Sequence, residues 1–97
     1  MPKLTDAEIA QGLKQLSGWS RQGDAIEKSY TFKKFAEGIR FVDRVALKAD
    51  AADHHPDIDI RYTNVTFSLS THDAGGITKN DLDLAKAIEQ AAGFDKK

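Results

Sequence analysis

The sequence predicts an α+β fold: a four-stranded antiparallel sheet with three helices packed on one face, in the order α-β-β-α-β-β-α. Apolar residues alternate with a period of two through Ile26–Phe32, Ile58–Tyr62 and Val65–Leu69, the pattern of half-buried strands. In three other stretches they recur at helical spacing instead. The strand candidates come in neighbouring pairs with short turn sequences between them, so hairpins join them and no crossover helix is needed.

Thr5-Asp6-Ala7-Glu8 has the form of a capping box, with Leu4 and Ile9 placed as its hydrophobic staple. Helix 1 therefore starts there, carries Ile9, Leu13 and Leu16 on one face, and is expected to end at Gly18 in a left-handed cap. Trp19 is expected in a short strand, Arg21-Gln22-Gly23-Asp24 in the turn after it, and Ile26, Lys28, Tyr30 and Phe32 on one face of the second strand. Lys28 interrupts that face, which suggests a strand near the sheet edge. From Lys33 or Lys34 to Asp50 or Ala52 the spacing is that of the main helix. Its stripe is Phe35, Ile39, Val42, Ala46 and Ala49, widened by Phe41 and Val45. Gly38 within it marks close packing.

All three histidines lie between Asp53 and His72. The strand holding Ile58, Ile60 and Tyr62 and the strand holding Val65, Phe67 and Leu69 form a hairpin with Thr63-Asn64 as its turn. That turn pairs Tyr62 with Val65 and Ile60 with Phe67, and brings His55 level with His72. A loop one residue longer or shorter brings His54 level instead, because register moves in single residues. In either case three imidazoles gather at the hairpin mouth. Pro56 holds His55 out of helical conformation, so the histidine pair sits in extended chain just before the strand. After the hairpin, Asp73-Ala74-Gly75-Gly76 is a flexible link. Thr78-Lys79-Asn80-Asp81 is a second capping motif with Ile77 and Leu82 as staple. Leu82, Ala85, Ile88 and Ala92 line the inner face of helix 3, Gly93 closes it, and Phe94–Lys97 is a tail expected to fray.

Asp53-His54-His55-Pro56 followed by Tyr62, His72 and Asp81 resembles the signature of the pterin-4a-carbinolamine dehydratases, and weaker similarity runs back through Trp19, Phe32, Phe35, Phe41-Val42 and Val45-Ala46. The resemblance implies a lyase that dehydrates 4a-hydroxytetrahydropterin to quinonoid dihydropterin. In it, His54 and His72 work as acid and base, in an order the sequence does not assign, and His55 mainly holds the pterin. It also implies dimers or tetramers, with sheets joined edge to edge and helices packed between subunits. A functional link to an aromatic amino acid hydroxylase follows from the same resemblance. The family has a second role, as a dimerisation cofactor of a transcription factor that uses helix surface; a pterin-binding protein without turnover is a third reading. Animal-type members carry tryptophan where this chain has Ile58 and glutamate where it has Asp50.

Histidine can give or take a proton near neutral pH, and the elimination needs neither metal nor redox cofactor. Ser70 and Thr71 are candidates to hydrogen-bond the pterin ring edge, whereas the alternating hydroxyls of Thr66, Ser68 and Ser70 also fit the solvent face of a strand. Asp53 is a candidate to fix the tautomer of a neighbouring histidine, and Asp81, in the signature, also fits a helix cap. Trp19 and Tyr62 read as core. Zinc on three imidazoles competes with this reading, but adjacent residues of extended chain point to opposite sides, and His54 and His55 are not expected to share an ion.

Composition bounds the rest. With 97 residues, 14 basic against 15 acidic side chains, a net charge of −1 and no cysteine, residues 1–97 read as one domain. Nothing in them marks a nucleic-acid or membrane surface, and thiolate chemistry is excluded. The N-terminus has no apolar leader pattern and no run reaches the ~20 residues of a membrane span, so a cytoplasmic location is expected.

Overall fold

A computed structural model describes residues 2–95, with side-chain surroundings for residues 2–93. The elements are α1 (Asp6–Leu13), β1 (Ser20–Gln22), β2 (Ala25–Thr31), α2 (Phe35–Ala52), β3 (Asp57–Arg61), β4 (Asn64–Leu69), a 3-10 turn (His72–Ala74) and α3 (Lys79–Asp95). All strand pairs are antiparallel and the sheet order is β1-β2-β4-β3. The expected class and element order hold.

The capping box before α1 closes in both directions: Glu8 N–H donates to Thr5 Oγ1 at 3.2 Å and Thr5 N–H to Glu8 Oε1 at 2.8 Å. The helix ends at Leu13, short of the expected Gly18. The N–H groups of Gln15 and Leu16 reach back only three residues, to Gly12 and Leu13, and this tighter winding carries Leu16 and Trp19 into the core. Gly18 does adopt a left-handed φ of 83°, where the chain turns towards β1. The first turn is narrower than expected, Gly23-Asp24 alone, because Arg21 and Gln22 pair with Ile26 and Ala25. Trp19 lies just before β1.

β2 lies second in the sheet, and its outer neighbour β1 pairs only with Ala25–Glu27, so Lys28 stands just past that pairing, near the edge as expected. Its Nζ is held at 2.8 Å by Glu89 of α3 and at 2.8 Å by the Ser17 carbonyl. The Tyr30 hydroxyl also donates to Glu89. Burial alone works to raise the Glu89 carboxyl, but the hydrogen bonds from Lys28 and Tyr30 outweigh it and hold it below its usual 4.5. Tyr30 is pushed above its usual 10.0, by burial first and by Glu89 second. The lowered carboxyl contributes stability that is present above pH 4.5 and lost as pH falls through its folded value. The raised phenol contributes stability below pH 10.0 that is lost as pH rises beyond it. Glu89→Gln is expected to lower the neutral-pH plateau by ~1–3 kcal/mol and to make the acid side of a stability-versus-pH curve shallower. Urea melts at several pH values check this; an unchanged acid slope contradicts it.

Ile26, Tyr30, Val65, Phe67 and Leu69 fill the covered face of the sheet, while hydroxyl and amide pairs such as Ser29–Thr66 and Thr31–Asn64, each at 2.7 Å, occupy the other. Trp19 belongs to the core as expected. The α2 stripe differs from the expected one: Gly38, Phe41, Val45 and Ala49 are buried, Ile39 and Val42 are half-buried, and Phe35 and Ala46 are exposed. The Phe41 ring decides this rotation, meeting Tyr30 at 5.0 Å, Phe32 at 5.3 Å and Phe67 at 5.5 Å between centroids in tilted or edge-on contacts that aromatic rings favour. Gly38 lets the helix approach, since a Cβ there would lie 3.3 Å from both Phe32 and Val65.

The second hairpin turns at Tyr62-Thr63, not Thr63-Asn64. Ile60 pairs with Val65 and Ile58 with Phe67, because Tyr62 adopts a left-handed φ of 52° that reverses the chain one residue early. Tyr62 is therefore exposed at the hairpin tip instead of in the core. The ladder stops at Asp57 and Ser68, so His55 and His72 are not cross-strand partners. In α3, Leu84, Ala85, Ile88, Ala91 and Ala92 are buried and Leu82 is half-buried. Gly93 does not close the helix, which continues to Asp95. What was expected of the tail at Lys96 and Lys97 lies outside the described residues.

Candidate active site

The C-terminus of α2 delivers the histidines. Asp53 takes a left-handed φ of 50° as its C-cap, and His54 N–H reaches back to the Ala49 carbonyl at 3.1 Å, reversing the chain before Pro56 and β3. In the extended stretch that follows, adjacent side chains diverge. His54 turns inward, its side chain 12% exposed, and His55 turns outward, 58% exposed.

Each imidazole of this pair meets its own carboxylate. His54 Nε2 lies 2.5 Å from Asp81 Oδ1, and His55 Nε2 lies 2.8 Å from Asp50 Oδ1. Asp50, with a side chain one carbon shorter than glutamate, thus reaches a histidine. Among the described residues no three His, Asp or Glu side chains gather around a common point as metal ligands would.

Asp81 is fully buried in the first turn of α3. Its Oδ2 accepts the Thr78 N–H at 2.9 Å, which caps the helix, and the Thr71 hydroxyl at 2.9 Å. One carboxylate therefore ties the segment after α2 to the segment after β4. The latter carries His72, next in the chain to Thr71, exposed on the 3-10 turn. Thr71 N–H and Gly76 C=O close that loop at 2.8 Å, and Gly75 supplies the left-handed φ of 75° it requires. At its far side Leu4 N–H donates to the Ile77 carbonyl at 2.9 Å.

The remaining sequence candidates fall differently. Ser70 donates its hydroxyl to the Asp24 carbonyl at 2.7 Å, fastening β4 to the first hairpin turn. Asp53 is exposed, and the carboxylate beside His54 is Asp81 instead. Thr78, fully buried, was recognisable as a cap but not as a neighbour of the site; its hydroxyl lies 2.8 Å from that of Thr71. His54 also borders a cleft of about 150 Å³ between α2 and α3, with Lys48, Asn80 and Asp83 on its rim. An imidazole backed by a buried carboxylate, with the exposed His55 next to it in the chain and His72 on the loop that the same carboxylate ties down, is an arrangement suited to moving protons.

A family model described as pterin 4 alpha carbinolamine dehydratase matches residues 2–91. A protein of Roseiflexus sp. (strain RS-1), provisionally named a pterin-4-alpha-carbinolamine dehydratase, is 53% identical over 91% of this chain and 95% of its own length. A protein of Thermomicrobium roseum with the same provisional name is 51% identical over 95% and 99%. Among solved structures, a transcriptional coactivator/pterin dehydratase from Brucella melitensis superposes with a TM-score of 0.90 at 34% identity, over 94% of this chain and 99% of that one. A pterin dehydratase-like protein described as a RuBisCO assembly factor in the alpha-carboxysome shares the fold, with a TM-score of 0.67 at 24% identity over 78% and 90%.

Proposed function

The chain belongs to the pterin 4 alpha carbinolamine dehydratase family, and from that membership and the Asp81–His54 pair we propose that it dehydrates a 4a-hydroxytetrahydropterin to the quinonoid dihydropterin. The C4a–O bond breaks and its oxygen leaves as water with a donated proton. The N5 proton passes to a base, and C4a and N5 become doubly bonded. No electron leaves the ring, so a placed acid and a placed base suffice. His54, oriented by Asp81, and His72 on the tethered loop form that pair; His55, held by Asp50, contacts the pterin. Asp53 remains the carboxylate open to substrate on the histidine segment. The hydroxyls of Ser70 and Thr71, engaged with Asp24 and Asp81, support the site in this reading instead of meeting the ring edge.

The assay is quinonoid dihydropterin formation from freshly generated 4a-hydroxytetrahydropterin; a rate equal to the spontaneous one removes the dehydratase reading. The activity fits regeneration of tetrahydropterin after an aromatic amino acid hydroxylase, with residues 1–97 acting as one domain in the cytoplasm. Among the described residues no helix is long and apolar enough to cross a membrane.

A homodimer or homotetramer belongs to the same proposal. Leu47 on α2 is 72% exposed and Phe35, at the start of the same helix, is 49% exposed, large apolar side chains that a second copy would cover. Ile58 and Ile60 are also exposed, on the edge strand β3. Leu47→Glu is expected to shift the protein to a smaller species in sedimentation, and an unchanged species contradicts this role of α2. Exposed Leu47 also favours a second reading, a dimerisation cofactor, in line with the coactivator description of the Brucella melitensis neighbour. Partner binding in that role survives His54→Ala.

A further inference from the structure

The hydrogen bonds around Asp81 fix more than its position. Thr78 N–H can only donate, and it donates to Asp81 Oδ2. The Thr71 hydroxyl has a single proton, which goes to the same oxygen. With that proton placed, the 2.8 Å contact between the Thr71 and Thr78 hydroxyls is donated by Thr78. Thr78 Oγ1 accepts in turn from the Asn80 N–H at 3.2 Å. The chain therefore runs one way, from Asn80 through Thr78 and Thr71 to Asp81. Oδ1 is left to His54 at 2.5 Å. A carboxylate only accepts, so the proton in that contact is carried by Nε2, and a neutral imidazole with its proton there has a bare Nδ1.

We infer that Thr71 and Thr78 are positioning residues which, through Asp81, hold His54 as the Nε2–H tautomer, so that Nδ1 is the atom exchanging a proton with the substrate. Both threonine hydroxyls lie in a region where valine would fill the same space, Thr78 being fully buried. The directed hydrogen bonds, not the packing, are what the hydroxyls add. Without them Oδ2 keeps only the Thr78 N–H, the carboxylate is held by one donor on that side instead of two, and the acceptor that sets the orientation of the His54 ring is less firmly fixed. That His54 moves the proton rests on the dehydratase reading; which ring nitrogen is bare does not.

Nitrogen NMR of the intact protein labelled at histidine separates the two. At neutral pH the His54 signals are expected to report a protonated Nε2 and a bare Nδ1; a protonated Nδ1 overturns the assignment whatever the activity. Thr78→Val and Thr71→Val are each expected to lower kcat about tenfold with KM within about twofold, and to give His54 a mixture of tautomers. Thr78→Ser and Thr71→Ser are expected to restore both readouts. Valine variants with wild-type kcat and an unmixed tautomer overturn the positioning role. Should Thr78→Val fail to fold, Thr71→Val, at a half-buried position, carries the same test. A wild type without turnover but with Nε2 protonated sinks the dehydratase reading and leaves the tautomer assignment standing.

Discussion

Asp81→Asn is expected to remove most dehydratase turnover while leaving the fold intact. Asparagine has the same shape, but one of its two terminal atoms is an NH₂ that can only donate. Thr78 N–H and the Thr71 hydroxyl both need an acceptor where Oδ2 now stands, so the amide oxygen is drawn to that side and the NH₂ faces His54. Nε2 then becomes an acceptor and the ring proton moves to Nδ1, the nitrogen inferred above to be bare for proton exchange. The expected loss is ~10²–10⁴ in kcat, the range for a misplaced acid-base group. A stability cost of ~1–3 kcal/mol accompanies it, as for a weakened buried hydrogen bond to a charged group. Asp81→Ala costs more, because three donors are then left facing no acceptor. Turnover assays beside urea melts check both effects; an asparagine variant with wild-type turnover contradicts this role for the carboxylate.

His54→Ala is expected to lower kcat by ~10²–10⁴, and His72→Ala by a similar factor, whereas His55→Ala raises KM more than it lowers kcat. The stability signatures differ for a structural reason. His54 is nearly buried against Asp81, and its removal strips one donor from a buried carboxylate, at ~1–3 kcal/mol. His72 and His55 are exposed, so their removal leaves the melting curve nearly unchanged. Kinetics alone cannot tell a lost proton donor from a damaged fold, and the pair of exposed and buried histidines separates them. Turnover of His54→Ala within twofold of wild type, with the melt displaced as expected, sinks the catalytic assignment and leaves the structural one.

The sequence signals are legible where the physics is local. Thr5 with Glu8, and Thr78 with Asp81, were recognisable as helix starts because a cap needs only residues three apart. The strands were recognisable because alternation is a property of the chain itself. The histidine-bearing segment was recognisable from Asp53-His54-His55-Pro56, and its resemblance to a known signature stood on residues spread from Asp53 to Asp81. Local spacing does not supply a neighbour distant in sequence, such as Glu89 beside Lys28. The α2 stripe was off by part of a turn because the Phe41 contacts with Tyr30 and Phe67 were not visible. The hairpin register moved because Tyr62 accepts a left-handed conformation that residue type gave no reason to expect.

By itself the sequence determined the class of fold, the order of the elements, the helix starts and the segment in which the imidazoles lie, since each depends on spacing along one stretch of chain. Tertiary structure alone decided that His54 meets Asp81, that Thr71 and Thr78 stand behind that carboxylate, and which face of α2 is covered. Those pairings are fixed by how α2, α3 and the loop after β4 settle against one sheet, and no spacing within any single segment encodes them.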